Sequence, residues 1–407
     1  MTLSQAENGP GLMAANRLQH LQASYLREIL AVAGRRNMIS FAGGLPAEAC
    51  FPVSLIRQLS TDQTASELLQ YGGSQGLDEL LTVLRQRSPM PDNHDVLVTN
   101  GAQQGLDLIL RAFVNPGDRI AIEAPCYLGA LQAFQLAEAE VISVPALGGV
   151  SEEYEADRLA VLESLFAQQD IKFFYAIADF HNPTGASYSL KMRHEIVRLC
   201  EKYGVFLIED APYRELRFVG KSLPMLADLS PARTLLLRSF SKIACPGLRL
   251  GCVQADKKFI GQLLKVKQVT DLHTQLPGQA LLAGLLSHRE FADHLQQLRQ
   301  EYLQRYMAMS ESVQLHLPEW VTLRPVEGGM FIWLELDLSG SRLSGQIDEL
   351  RVAEQAIEQG VTVVPGSVFY PQKQVSAAFR LNFSHESVAN IDLGIRRFSR
   401  VLAMLER

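Results

Sequence analysis

Short apolar runs alternate with segments of helical periodicity through most of the chain. The runs are nearly continuous in apolar residues, which is typical of strands buried on both faces of a sheet. Seven of them predict strands, at residues 96–99, 119–123, 141–144, 173–178, 205–209, 234–237 and 250–253. Strands that alternate with helices predict an α/β domain with a mostly parallel seven-stranded sheet.

The segments between the runs carry helix signals. Leu106, Ile109, Leu110 and Phe113 share one helical face, and Asn115-Pro116-Gly117-Asp118 ends that helix. A second apolar stripe, Ile196 to Tyr203, ends at Gly204, which suits a left-handed helix cap.

The pattern changes after about residue 280. Phe291, Leu295, Leu298 and Tyr302 predict a long amphipathic helix, and residues 328–334 and 378–383 predict strands of a smaller α+β unit. We therefore expect an N-terminal arm over 1–45 that packs with the small domain. A large domain would span 46–285, and the small domain would span 286–407.

Composition narrows the class of protein. The 407 residues are 47% hydrophobic, which excludes disorder as the main state, and the net charge of −6 argues against a nucleic-acid partner. The five cysteines form no C-x-x-C pair, so neither a disulfide framework nor a structural metal site is expected. No uncharged apolar run approaches a membrane span, and residues 1–17 do not resemble a signal peptide. We expect a cytoplasmic protein with no membrane partner.

Polar residues gather where the predicted strands end. Ligands of open α/β sheets bind beyond the carboxyl ends of the strands, so these stretches are the candidate site. They are Asn100-Gly101-Ala102-Gln103, Pro125-Cys126-Tyr127, His181-Asn182-Pro183-Thr184-Gly185, Glu209-Asp210-Ala211-Pro212-Tyr213 and Ser239-Phe240-Ser241-Lys242.

Six short sequence motifs resemble those of one family in the order in which they occur, and they are spread over nearly the whole chain. They are Ser40-Phe41-Ala42-Gly43-Gly44-Leu45-Pro46, Leu69-Gln70-Tyr71-Gly72-Gly73-Ser74-Gln75-Gly76, Asn182-Pro183-Thr184-Gly185, Ser239-Phe240-Ser241-Lys242, Pro246-Gly247-Leu248-Arg249 and Arg380-Leu381-Asn382-Phe383. The chain resembles the fold-type I aminotransferases that use pyridoxal 5′-phosphate (PLP), and within them the 2-aminoadipate and kynurenine aminotransferases.

The resemblance implies roles around the cofactor ring. Lys242 matches the lysine that forms the Schiff base with PLP and moves the substrate's α-proton. Asp210 matches the partner of the pyridine nitrogen, although an aspartate here could also be a helix cap. Tyr213 and Asn182 match donors to the phenolic oxygen. Tyr127 matches the aromatic that stacks on the ring, and its alternative is a core residue.

The resemblance also implies a phosphate site. Its backbone donors would be Gly101, Ala102 and Gln103 at a helix N-terminus. Its side-chain ligands would be Ser239, Ser241 and Arg249. Tyr71 matches a tyrosine that reaches the phosphate of a neighbouring subunit, which implies a homodimer with shared active sites.

Substrate contacts follow from the same likeness. Arg380 matches the arginine that binds the α-carboxylate, with a structural salt bridge as its alternative. Gly44 and Asn182 are further candidates for substrate binding. Arg27 matches an arginine that binds the distal carboxylate of a dicarboxylic amino acid, and is equally compatible with a structural role.

Several positions depart from the family pattern. Ala102 replaces a common serine in the phosphate turn, His181 precedes Asn182 where glutamine is common, Arg238 replaces a small residue and Ile243 follows the lysine. We expect His181 and Arg238 to reshape the site. His194-Glu195 lacks the second histidine of a zinc-hydrolase motif because Arg198 stands there, so no metal is expected.

These observations predict a PLP-dependent aminotransferase that works by ping-pong exchange between an L-amino acid and a 2-oxo acid such as 2-oxoglutarate. The donor would be 2-aminoadipate, glutamate, or an aromatic or aliphatic amino acid. One alternative is a PLP-dependent lyase, cyclase or oxidase of the same fold. A remote alternative is the effector-binding module of an aminotransferase-like regulator, although little chain precedes Phe41 for a fused DNA-binding domain.

Overall fold

All seven predicted strands are present in the computed structural model, which describes residues 13–18, 21, 29, 37–60, 66–149, 151–337, 347–372, 374 and 376–405. Their ends differ from the predicted ends by three residues or fewer. After a short strand β1 (Ile39–Ser40), they are β2 (His94–Thr99), β3 (Arg119–Ala124), β4 (Glu140–Pro145), β5 (Ile171–Ala176), β6 (Phe206–Asp210), β7 (Thr234–Ser239) and β8 (Gly251–Asp256).

These seven strands, β2 to β8, form one sheet in the order β2-β8-β7-β6-β5-β3-β4. The five strands β3 to β7 pair in parallel, whereas β8 runs antiparallel to both of its neighbours. The predicted α/β class and mostly parallel sheet are thus confirmed. Because β8 is reversed, β2 points in the same direction as β7, and its carboxyl end lies at the same edge of the sheet.

Helices cover both faces of this sheet. One apolar cluster packs Ala102–Phe113, Leu128–Leu136 and Lys257–Thr270 on one face. Another packs Glu152–Gln168, Leu190–Tyr203 and Leu226–Leu229 on the other. Gly204 ends the helix Leu190–Tyr203 with a φ of 74°, the left-handed cap that the sequence predicts.

A second sheet follows the large one along the chain. Its strands are β9 (Val321–Leu323), β10 (Phe331–Leu336), β12 (Val364–Pro365) and β13 (Ala378–Asn382), ordered β12-β13-β10-β9, and β11 (Val361–Thr362) pairs instead with β1. The predicted long helix is present as Phe291–His316. The remaining α-helices in the described ranges are Val53–Leu59, Asp78–Arg87, Leu276–Ser287, Glu349–Glu358 and Val388–Leu405. The domain limits at 45 and 285 stay a prediction.

None of the helices described here combines the length and the apolar character that crossing a membrane requires. The largest apolar cluster instead joins the helices Asp78–Arg87, Leu276–Ser287 and Phe291–His316 to the second sheet.

Candidate functional site

A cavity of about 270 Å³ lies at the carboxyl edge of the parallel strands. It is lined by nearly all of the residues that the sequence singles out: Gly44, Gly101, Ala102, Gln103, Tyr127, Asn182, Asp210, Tyr213, Ser239, Ser241, Lys242, Arg249 and Arg380. They come together because Tyr127, Asn182, Asp210 and Ser239 follow or end β3, β5, β6 and β7. Arg380 comes from β13 of the second sheet.

One end of the cavity is suited to an anion. Gly101 precedes the helix Ala102–Phe113 with a φ of 83°, a conformation that favours glycine. A side chain at Gly101 would also crowd Arg249, whose Nη2 atom would lie 3.0 Å from the added Cβ. The free N–H groups of a first helical turn and a guanidinium therefore face the same space. Ser239 and Ser241 line it as well, and the Ser241 N–H donates to Ser239 Oγ at 3.3 Å.

Asp210 occupies the last position of β6 and is almost completely buried. Its Oδ2 accepts a hydrogen bond from the Tyr175 hydroxyl at 2.7 Å, whereas its Oδ1 has no partner among the described residues. Burial raises the pKa of Asp210 to about 6, and the Tyr175 hydrogen bond opposes this rise only in part. The helix-cap alternative does not account for an acceptor oxygen left free in the cavity wall.

Lys242 brings a primary amine to the wall of the cavity. Its Nζ donates to the Gly44 carbonyl at 2.7 Å and forms no ion pair with an acidic residue of the described ranges. Burial lowers the pKa of Lys242 to about 8, and the positive charges of Arg249 and Arg380 contribute to this shift. About a tenth of this amine is therefore neutral, and nucleophilic, at pH 7, far more than for an ordinary lysine.

Arg380 is buried between two aromatic rings. Its guanidinium carbon lies 4.3 Å from the ring centre of Phe331 and 4.9 Å from that of Phe369. Nη1 donates to Asn182 Oδ1 at 2.9 Å, Nη2 donates to the Ala42 carbonyl, and Nε has no partner in the described ranges. Burial lowers the pKa of Arg380 to about 10. Since no described carboxylate pairs with Arg380, the salt-bridge alternative does not apply.

Asn182 connects Arg380 to the cavity wall. While its Oδ1 accepts from Arg380, its Nδ2 donates to the Tyr213 hydroxyl at 3.4 Å. Burial raises the pKa of Tyr213 above its usual value. Burial likewise raises the pKa of Tyr127 to about 12, and the Tyr127 hydroxyl lies 3.4 Å from Gln103 Oε1. Tyr127 thus lines the cavity and is not enclosed in the core.

Three sequence-predicted positions lie elsewhere, and the position of a fourth is not described. Tyr71 is 80% exposed and does not line this cavity. Arg27 lies outside the described residues. His181 is buried behind the site, where its Nδ1 lies 3.0 Å from Thr184 Oγ1, and Arg238 pairs with Glu215 at 2.8 Å. Neither His181 nor Arg238 lines the cavity, and their effect on its shape stays a prediction.

Some residues of the site were not identified from the sequence. Tyr175 sits within an apolar strand, and only the alternation of side chains along β5 could have marked it as facing Asp210. Phe331 and Phe369, which flank Arg380, come from the second sheet and the turn after β12. Their sequence carries no signal for this contact because the partners meet only in the tertiary structure.

Comparisons with known proteins agree with this geometry. Residues 37–398 match the family model described as aminotransferase class I and II. The chain is 34% identical to aromatic-amino-acid aminotransferase 1 of Thermococcus litoralis, over 94% of this chain and 92% of that protein. It is 32% identical to the 2-aminoadipate transaminase of Thermus thermophilus, over 94% of each.

A solved structure has the same architecture. The α-aminoadipate aminotransferase LysN of Thermus thermophilus, complexed with N-(5′-phosphopyridoxyl)-L-leucine, superposes with a TM-score of 0.86. The identity is 31%, and the match covers 96% of this chain and 97% of that one.

Proposed function

This chain belongs to the class I and II aminotransferases, and we propose that it binds PLP in the cavity at the carboxyl edge of the large sheet. The family is PLP-dependent and acts on amino acids and 2-oxo acids, and a structural neighbour carries a PLP derivative. The chain is accordingly an aminotransferase. The residues that hold the cofactor and the substrate are part of our proposal.

The polar groups of the cavity fit PLP. Asp210 Oδ1 is a buried acceptor without a partner in the described chain, which suits a protonated pyridine nitrogen. The helix N-terminus at Gly101, Ala102 and Gln103 suits the phosphate. Arg249 supplies it with a permanent positive charge, and Ser239 and Ser241 supply hydroxyl donors. Tyr127 would stack on the ring, and Asn182 and Tyr213 would donate to its phenolic oxygen.

Bound PLP supplies an aldehyde for amines and a ring that withdraws electrons from the substrate's Cα. Asp210 would keep the pyridine nitrogen protonated. The Lys242 amine, held against the Gly44 carbonyl and made less basic by burial, would attach the cofactor and then take up the proton that leaves Cα. A pKa of about 8 allows this one amine to act as base and then as acid at neutral pH.

Arg380 would bind the substrate's α-carboxylate. Its position between Phe331 and Phe369 fixes the plane of the guanidinium, and its contact with Asn182 places it beside the cofactor's donors. The donor would be an L-amino acid, and the acceptor a 2-oxo acid such as 2-oxoglutarate, in ping-pong order. The names of the relatives favour aromatic amino acids and 2-aminoadipate as donors. Glutamate, aliphatic donors and the role of Arg27 stay predictions.

One observation carries this proposal: the cavity holds wholly or partly buried charged groups that lack an ionic partner in the described structure. Arg380 and Asp210 are buried and Lys242 is half-buried, and removing each charge from water would be costly without a compensating ligand. An anion would pair with Arg380, an aldehyde would react with the Lys242 amine, and a protonated ring nitrogen would pair with Asp210. A cofactor and an amino-acid substrate supply these groups together.

We also propose that a second copy of the chain completes the site. Tyr71 is 80% exposed, and its ring packs edge-on against His273 at 5.9 Å. Leu69, Val269 and Leu272 are further exposed apolar residues close to Tyr71 or His273 along the chain, and Val269 is 89% exposed. An apolar surface of this kind is suited to burial in an interface between subunits. Tyr71 would then reach the phosphate site of the partner.

Incorporation of PLP tests the proposal. We expect wild type to take up PLP and, after borohydride reduction, to carry it on the tryptic peptide of Lys242, as read by mass spectrometry. Lys242→Ala should carry no such label and should lose activity by about 10²–10⁴-fold, because the proton-transfer group is missing. An amino donor alone should support one turnover, and a 2-oxo acid should restore repeated turnover.

Lys258→Ala is the matched control because Lys258 lies on the surface of the large domain, and it should behave as wild type. A wild type that incorporates no PLP would refute the proposal. Repeated turnover without a 2-oxo acid would point to the lyase, cyclase or oxidase alternative.

Sharing of the site can be tested by mixing two defective chains. Lys242→Ala and Tyr71→Ala are each expected to be weakly active at limiting PLP. Co-refolding them should recover roughly a quarter of wild-type activity, because half of the dimers are mixed and each has one intact site. If the mixture is no more active than its components, Tyr71 serves its own subunit or none.

A further inference from the structure

A buried lysine lies behind the anion-binding turn, outside the cavity. Lys267 has no exposed surface, and its Nζ has three acceptors: Asp271 Oδ2 at 2.8 Å, Thr274 Oγ1 at 2.9 Å and Gln104 Oε1 at 3.1 Å. An ammonium group has three N–H donors, so all of them are used. All of the hydrogen-bonding capacity of Lys267 is therefore used within the protein, and none is left for a ligand.

The acceptors of Lys267 hold the start of the helix Ala102–Phe113. Asp271 Oδ2 also accepts from Asn100 Nδ2 at 2.6 Å and from Gln104 Nε2 at 2.7 Å. Gln104 Oε1 accepts the backbone N–H of Asn100 at 2.7 Å. Asn100 and Gln104 flank Gly101, Ala102 and Gln103, which line the cavity.

The hydrogen bonds of Asp271 and Gln104 hold the turn at Gly101 in one orientation. Gln104 lies in the first turn of the helix and binds the Asn100 N–H, so the residues on either side of Gly101, Ala102 and Gln103 are joined by a hydrogen bond. The N–H groups of a first helical turn have no partner within the helix and stay available to a ligand. The backbone at Gly101 has a positive φ, which a free loop would not hold in one conformation. An anion site made of backbone N–H groups depends on such orientation, since each N–H must point at the same ligand.

We propose that Lys267 and Asp271 are positioning residues for the phosphate-binding turn, and that this buried ion pair sets the affinity for the phosphate group of the cofactor. The proposal rests on the proposed function, in which that turn binds the phosphate of PLP. Neither residue lines the cavity, so neither acts on the substrate directly. Their effect passes through Asn100 and Gln104.

The pair also lies next to the surface that we propose for the second copy. His273 Nε2 accepts the backbone N–H of Gly72 at 3.3 Å, and His273 stands between Asp271 and Thr274. Tyr71 packs against the same imidazole ring. The stretch from Asp271 to Thr274 therefore contacts both Lys267 and the segment that carries Tyr71.

Binding of PLP and of pyridoxal, which lacks the phosphate, separates positioning from general damage. The variant is the double substitution Lys267→Met with Asp271→Asn, because removing both charges avoids a buried charge without a partner. We expect the dissociation constant of PLP to rise about 10–100-fold, by analogy with the loss of residues that orient the ligands of a metal. The constant for pyridoxal should change far less, since pyridoxal has no phosphate to contact the turn.

The control is Lys172→Met with Asp118→Asn, the same pair of changes in a 2.6 Å ion pair near the amino ends of the strands. This control should bind both ligands as wild type does. Inorganic phosphate provides a probe that is independent of PLP: it should raise the melting temperature of the wild-type apo-protein but not that of the Lys267/Asp271 variant.

Equal weakening of PLP and pyridoxal would overturn the positioning role and leave a structural one. Unchanged PLP affinity in the folded variant would overturn it as well. A wild type that binds phosphate but not PLP would instead refute the proposed function, while loss of phosphate binding in the variant would still support the role of the pair.

Discussion

Asp179 and Asp210 are two buried aspartates that follow or end neighbouring strands, yet their surroundings are opposite. Asp179 accepts from three arginines, with contacts of 2.7 Å to Arg193, 3.0 Å to Arg214 and 3.3 Å to Arg217. Burial by itself would raise the pKa of Asp179, but Arg193 and Arg214 outweigh it, and the pKa lies below its ordinary value. All of the charge at Asp179 is compensated within the chain.

Asp210 has a single hydroxyl donor, and burial raises its pKa to about 6. The nearest structural parallel is Arg380, which is also buried and has no described carboxylate partner. The difference indicates that compensation inside the chain marks a structural role, whereas its absence marks a place prepared for a ligand. Burial alone does not distinguish the two.

The largest effect should come from breaking the compensated cluster. In Asp179→Asn, the completely buried Arg193 loses its ionic partner, and we expect the free energy of unfolding to fall by about 3–5 kcal/mol. Urea denaturation of the apo-protein at pH 7 measures this. Asp118→Asn, at the partly exposed pair with Lys172, is the control and should cost at most about 1 kcal/mol. A similar small loss for Asp179→Asn would mean that Asp179 is not structural.

Asp210→Asn should lower activity without lowering stability, the opposite of what we expect for Asp179→Asn. Without a carboxylate to hold a protonated ring nitrogen, we expect kcat to fall by about 10²–10³-fold. The apo-protein should gain stability at pH 7, by at most about 3 kcal/mol, because a shift from 3.8 to about 6 is worth roughly 1.4 kcal/mol for each pH unit. Kinetics and urea denaturation on the same preparations give both numbers.

The gain in stability expected for Asp210→Asn should depend on pH, which separates the uncompensated Asp210 further from Asp179. Because the pKa of Asp210 is raised in the folded protein, folding favours the protonated form, and stability is lost as pH rises from about 4 to about 6. Asp210→Asn does not titrate, so its advantage over wild type should be small at pH 4 and complete above pH 6. An advantage that does not vary with pH would show that desolvation of the charge is not its cause.

Much of the fold and of the candidate site could be predicted because each signal is local. Continuous apolar runs reveal buried strands wherever they stand, and polar residues at their ends reveal the ligand-binding edge. Asp210, Ser239 and Lys242 are found in this way, and the structure places all three on one cavity. Arg380 required the family likeness, since an arginine in a strand has no local signal of its own.

The rest could not be predicted because it depends on contacts between distant parts of the chain. Lys267 reads as an ordinary helix lysine until Gln104 and Asn100, more than 160 residues away, are placed beside it. Nothing in the sequence around Asp179 indicates that Arg193, Arg214 and Arg217 surround it. Each of these contacts joins elements whose pairing follows from strand order and helix packing.

The sequence by itself determined the α/β class, the seven strands and the set of polar residues at their ends, because hydrophobic periodicity and turn residues act over a few positions. Only the tertiary structure decided which of the buried charges are compensated. Arg193 and Lys267 have acidic partners, while Lys242 and Arg380 face the cavity without one in the described chain. The energy of a buried charge depends on what lies within a few ångströms of it, and the fold brings those neighbours from distant positions in the chain.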